Sequence, residues 1–277
     1  MQVFTLDLWE GFQYSGSQDG GFRPTLDVYL LKDAPGIPAA VRPSVLILPG
    51  SGYRQCSLRE AETLAVRFNA EGYHAFVLWY SCAPNRHPVP ILDCARALTV
   101  IREHGGEWHL NPEKIAIMGF SAGGHLALST LLFADRDFAA APGVNPAHVQ
   151  ADALILCYPV VSSGEFAHHD SFTRLLGGKN ESALLELLSL EKHINGNLPP
   201  VFIWHTCADQ SVPVENSLLL AAALRRAGVP MELHIFPEGK HGLSLAIPET
   251  CAGDNGFINS HVAQWFQLCV NWLKLRF

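Results

Sequence analysis

Residues Lys114–Leu126, KIAIMGFSAGGHL, run an apolar strand into Gly119-Phe120-Ser121-Ala122-Gly123 and on into a helical pattern. A strand that turns this sharply into a helix crowds its own backbone, and glycines on both sides of Ser121 relieve the crowding. The serine is then held in a strained, exposed turn at the top of a sheet. The helix that follows points N–H groups at any negative charge developing there. A nucleophilic serine needs this arrangement.

The rest of the chain fits that strand–turn–helix unit. Apolar runs alternate with amphipathic stretches, which predicts βαβ units and a largely parallel sheet. Strands are expected near Val3–Leu6, Leu26–Leu31, Ser44–Leu48, His74–Trp79, Ile115–Met118, Ala153–Cys157, Val201–His205 and Met231–Phe236, eight in all. A Gly/Ser-rich segment, Ser15 to Gly21, reads as a hairpin loop between the first two. Helices are expected over Leu58–Asn69, Ile91–His104, Ala122–Phe133 and Val214–Ala227, with a final one over Ile258–Leu275. Between about 161 and 199 the alternation gives way to short helical pieces and polar residues. An insertion at the carboxyl end of a strand sits over the sheet crevice, so this segment reads as a small cap. No internal repeat, low-complexity tract or dividing linker is visible, so residues 1–277 read as one domain.

Composition narrows the function classes. The chain of 277 residues is 48% hydrophobic and 16% charged, as expected of one α/β domain with a large core. A net charge of −7 and a pI near 6.0 argue against nucleic acid as a partner. The opening MQVFTLDLWEG places acidic residues where a signal peptide needs basic ones, and no stretch reaches membrane-span length. A cytoplasmic protein without a membrane partner is the expectation. The seven cysteines are scattered without a C-x-x-C pair, so they read as small packing residues rather than as disulfide or zinc ligands. No metal site is expected. His168-His169-Asp170 lacks the spaced partner that would complete a coordination shell.

Acyl transfer by Ser121 needs a base to take its proton and an acid to orient that base. Both are available at later strand ends, in the order the topology demands. Asp209 follows the strand ending near His205, in HTCADQSVP, and His241 follows the strand ending at Phe236, in FPEGKHGL. Glu238 and Asp254 are the fallback acids. His205 is the rival base, although it sits inside a strand pattern, and His125 reads as structural. A tetrahedral intermediate also needs backbone donors. Ala122 supplies one, and Ser51 and Gly52 are the candidates in the loop Pro49-Gly50-Ser51-Gly52-Tyr53. Tyr53, Trp79, Tyr80 and Tyr158 lie near strand ends, where aromatic faces suit sugar rings, although each is also explicable as core packing.

LPGSGY, SLREAE, GYHAFVLWY, KIAIMGFSAGGHLA, ALILCYPVVS, HTCADQSVPV and FPEGKHGLSLA occur in the order seen in α/β-hydrolase esterases. From about Leu6 to Leu273 the chain resembles bacterial acetyl esterases of the branch near acetylxylan esterases and hormone-sensitive-lipase-like carboxylesterases. The resemblance implies an α/β-hydrolase fold, with Ser121 as nucleophile, Asp209 as acid and His241 as base. It further implies Ser51, Gly52 and Ala122 as oxyanion donors, no cofactor, and a possible homodimer. Pro49 and Ser51 replace the His and middle Gly of the HGGG loop of lipase-like relatives, which counts against long-acyl specificity. The expected activity is hydrolysis of short, acetyl-type esters with a carbohydrate alcohol. Hydrolysis of other small esters, lactones or peptides, and a non-catalytic binding protein on the same fold, are the alternatives.

Overall fold

The strands are β1 (Gln2–Asp7), β2 (Thr25–Leu30), β3 (Arg42–Leu48), β4 (His74–Trp79), β5 (Leu110–Phe120), β6 (Ala153–Cys157), β7 (Val201–Thr206) and β8 (Met231–Phe236). The structure is a computed structural model and describes residues 1–12, 14, 22–33, 36, 40–136, 141–179 and 181–277. All eight strands join one sheet in the order β1-β2-β4-β3-β5-β6-β7-β8. From β4 to β8 every neighbour is parallel, while β2 pairs antiparallel with both β1 and β4 at one edge. The expected Ser15–Gly21 hairpin loop lies outside the described residues.

Strand alternation sends side chains into two cores. Val45 and Ile47 face helices α1 (Glu62–Ala70) and α7 (Trp265–Lys274), joining Leu64, Phe68 and Trp265. Leu46 and Leu48 face the other way, toward α2 (Val89–Glu103), α3 (Ala122–Leu132) and α6 (Glu215–Ala227), joining Leu98, Leu126 and Leu220. Because the central strands are covered on both faces, they read as continuous apolar runs. Each such buried Leu, Ile or Phe contributes about 1.5–3 kcal/mol to holding the layers together.

Two helix expectations are corrected. The helix expected over Leu58–Asn69 is broken into a 3-10 turn, Leu58–Glu60, and α1. Ala61, at φ −120° and ψ −108°, is the break, and Glu60 turns inward there instead of joining a solvated helix face. The final helix begins at Trp265 rather than Ile258. Asn259 accepts the backbone N–H groups of His261 and Val262, and this local turn competes with helix until the apolar run starts.

The chain runs from β3 to β4 on one side of β3 and returns to β5 on the other, so the order reverses between β3 and β5. The crevice above such a reversal is where open α/β sheets bind ligands. The cap segment between β6 and β7 folds into α4 (His169–Leu176) and α5 (Ser182–Leu187). It packs on α3, where His125 donates to the Leu188 carbonyl at 3.0 Å and meets Phe172 edge to face. Among the described residues no helix is long and apolar enough to cross a membrane.

Candidate active site

Ser121 sits between β5 and α3 at φ 52° and ψ −117°, a backbone state that L side chains rarely adopt. Flanking glycines make the turn possible. A Cβ on Gly119 would run into the carbonyl oxygen of Gly123, and one on Gly123 into that of Leu48. Backbone bonds on either side fix the turn. The Ser121 N–H donates to Cys157 at 2.9 Å, and its carbonyl accepts from Val160 at 3.1 Å.

The acid and base loops meet this turn. Ser121 Oγ lies 2.8 Å from Nε2 of His241, and Nδ1 of His241 lies 2.6 Å from Asp209 Oδ2. Nδ1 faces a carboxylate and Nε2 a hydroxyl, so the assigned tautomer carries its proton on Nδ1 and leaves Nε2 free to accept one. The Asp209 side chain is wholly buried, whereas that of His241 is 21% exposed, so the imidazole faces the crevice.

Four contacts hold Asp209. Oδ1 accepts the backbone N–H groups of Ser211 (2.9 Å) and Val212 (3.0 Å), and Oδ2 accepts from His241 and, at 3.2 Å, from Nε2 of His205. His205 also reaches the Val212 carbonyl at 3.0 Å, which can only accept, so Nε2 carries the proton and Nδ1 accepts from Ser217. Burial works to raise the Asp209 pKa. The hydrogen bonds from His205 and His241, the charge on His241 and the Val212 N–H outweigh it and hold the carboxyl well below the usual carboxylate range. Asp209 is therefore held in its ionised form, the state that can orient an imidazole. His205, fully buried, shares Oδ2 of the acid with His241 and so helps to orient it.

The loop after β3 completes the crevice. Ser51 and Gly52 have φ of 116° and 62°, which turns this segment sharply over the sheet end. Ala122 opens α3, so its N–H belongs to the first turn, where the helix offers no acceptor. Gly50 is already engaged, since its N–H donates to Oε2 of Glu60 at 2.7 Å.

The expected aromatic platforms need correction. Tyr53, Tyr80 and Tyr158 are buried, with their hydroxyls bound to protein: Tyr53 to His125 Nδ1, Tyr80 to the Pro49 carbonyl and Tyr158 to Glu60. A strand-end aromatic can point under a loop as readily as over it, and these three brace loops from beneath. Trp79 is half-buried, donates to Asp27, and lines a cavity of about 200 Å³ with Phe22, Arg54, Cys56 and Tyr80.

Two cap residues that sequence reasoning did not assign also reach the site. Arg174 Nη1 donates to the Gly52 carbonyl at 3.4 Å, and His168 stands beside Gly52 with His241 and Asp209 within electrostatic range. Burial, then the charge on His241, lowers the His168 pKa. His168 bonds Ser171, and Asp170 pairs with Arg174. Among the described residues no group of three or more His, Cys, Asp or Glu side chains could hold a metal ion.

Residues 26–224 match the BD-FAE family. That span is well over half of the chain. The chain belongs to the BD-FAE family. Within this esterase-like branch of the α/β-hydrolases it is 37% identical over 257 residues to an endo-1,4-beta-xylanase B of Butyrivibrio fibrisolvens, covering 91% of this chain and 40% of that protein. It is 31% identical to an acetylxylan esterase of Xylanibacter ruminicola, covering 83% of this chain and 45% of that one. The chain thus spans less than half the length of these two relatives. Among solved structures, an acetyl ester-xyloside bifunctional hydrolase from Caldicellulosiruptor lactoaceticus superposes with a TM-score of 0.83 at 36% identity, covering 98% of this chain and 96% of that one. The carboxylesterase Cest-2923 from Lactobacillus plantarum gives 0.83 at 26% identity, with 99% and 98% covered.

Proposed function

We propose that this BD-FAE chain is a serine carboxylesterase that removes short acyl groups, acetyl foremost, from carbohydrate esters. The observation that carries the reading is the continuous hydrogen-bonded line Ser121–His241–Asp209 at the mouth of the sheet crevice. The names of its relatives, acetylxylan esterase and acetyl ester-xyloside hydrolase, support the carbohydrate side.

In this reading His241 takes the Ser121 proton as Oγ attacks the ester carbonyl, and Asp209 stabilises the imidazolium that forms. The N–H groups of Ser51, Gly52 and Ala122 receive the developing oxyanion. His241 then protonates the departing alcohol, leaving an acyl-serine, and water repeats the sequence to release the acid. Arg174 and His168 form the cap side of the alcohol subsite.

Hydrolysis of p-nitrophenyl acetate by the wild type and by Ser121→Ala tests the mechanism. The variant is expected to lose about 10⁴-fold or more in kcat, together with labelling by a fluorophosphonate probe. Retention of the rate within a few fold contradicts it. A series of aryl esters from acetate to octanoate tests acyl length, with acetate preferred; preference for octanoate overturns that part of the reading.

A further inference from the structure

Glu60 is a buried carboxylate beneath the loop after β3, and the mechanism above does not use it. It is 4% exposed and lies in the 3-10 turn that interrupts the helix expected after β3. Its two oxygens have different partners. Oε2 accepts the Gly50 N–H at 2.7 Å, directly before the Ser51 and Gly52 amides, and Oε1 accepts the Tyr158 hydroxyl at 2.6 Å. Tyr158 in turn accepts the Ser244 N–H at 2.9 Å, three residues beyond His241. Its ring lies against the His241 imidazole, with centroids 5.0 Å apart at 70°. A single carboxylate thus ties the loop after β3, the end of β6 and the loop after β8.

We infer that Glu60 is a positioning residue for this reaction, holding the oxyanion loop through Gly50 and the base loop through Tyr158, and placing a second negative charge near the imidazolium. The inference rests on the esterase reading. A buried carboxylate is costly unless its oxygens are satisfied, and here the two hydrogen bonds that satisfy them come from the parts that must stay aligned. Burial raises the Glu60 pKa, and the Tyr158 and Gly50 hydrogen bonds and the charges on His241 and Arg59 oppose that rise. Among the described residues the titratable or charged groups around His241 include Asp209 from the loop after β7, His168 from the cap, Glu60 and Tyr158 from below, and Arg59, whose Nη1 reaches toward Gly242.

The experiment compares the wild type, Glu60→Gln and Tyr158→Phe on p-nitrophenyl acetate, reading kcat, KM, the pH profile of kcat/KM and the thermal midpoint. Glu60→Gln keeps the shape and one acceptor but removes the charge. A fall in kcat of at least about tenfold is expected, since small misplacements of reacting groups cost that much or more, with KM within threefold. The acid limb of kcat/KM should move to lower pH, because removing a negative charge from beside the imidazolium disfavours protonation of the base. Tyr158→Phe leaves the ring on His241 and removes the hydroxyl. It should lose kcat with a smaller displacement of the acid limb, and it carries the test if Glu60→Gln does not fold. Variants within twofold of wild-type kcat, or a kcat loss with the acid limb unmoved in Glu60→Gln, overturn the assignment while leaving the esterase reading intact. A wild type that neither hydrolyses the ester nor takes up the fluorophosphonate overturns the reading, and the inference with it.

Discussion

Asp209 shows how much one side chain depends on its donors. All of its contacts are N–H groups, two from backbone and two from imidazoles. Asn at this position would turn an NH₂ group toward a donor, most damagingly toward Nδ1 of His241, and drive that ring into the wrong tautomer. Asp209→Asn should therefore lower kcat by about 10⁴-fold with the fold intact by circular dichroism; a loss below tenfold would show that the carboxylate does not orient the base. Ser121, Asp209 and His241 were readable because each follows directly on an apolar run, and position after a strand fixes the rim on which a residue lies. Glu60 and His168 were not. Which side chain of a turn points inward depends on packing partners far away in sequence, and the acidic, helix-compatible context of SLREAE suggests a solvated face. Tyr158 stayed open between platform and core packing for the converse reason, since its place at a strand end says nothing about which side of the next loop its ring occupies.

At the scale of elements, α7 does more than cover the sheet. Trp265 stacks on Trp204 of β7 with centroids 5.0 Å apart, and its Nε1 donates to the Ser244 carbonyl in the base loop at 2.9 Å. Trp265→Ala should destabilise the protein by about 3–5 kcal/mol through the cavity it leaves. Trp265→Phe should recover most of that stability while leaving the Ser244 carbonyl short of a donor. Urea unfolding of both variants decides this; equal losses would mean that packing is not the dominant contribution. Strand placement was legible because two-sided burial leaves unbroken runs such as SVLIL and ALILC. Helix starts were less so. Asn259 and Ala61 interrupt patterns whose apolar spacing continues on either side, and periodicity cannot register a local hydrogen bond that ends a helix.

For the molecule as a whole, His125 links three layers: α3 carries it, Tyr53 of the loop after β3 donates to it, and it donates to Leu188 of the cap. Burial lowers its pKa to about 4. The native state therefore prefers the neutral ring, and that contribution to stability is complete above the ordinary histidine value and lost as pH falls from about 6.5 toward 4. His125→Gln, which can donate to Leu188 and accept from Tyr53 but cannot titrate, should flatten the dependence of unfolding free energy on pH across that window by about 1.4 kcal/mol per unit. Equal slopes in the two proteins would exclude the effect. Ser51, Ser121, Asp209 and His241 follow four different strands, β3, β5, β7 and β8, of a single sheet. No contiguous stretch of polypeptide holds enough of them to turn over an ester. Regained turnover after dilution from denaturant is thus a clock for the slowest, most distant strand pairings, and it should lag behind the return of helical ellipticity.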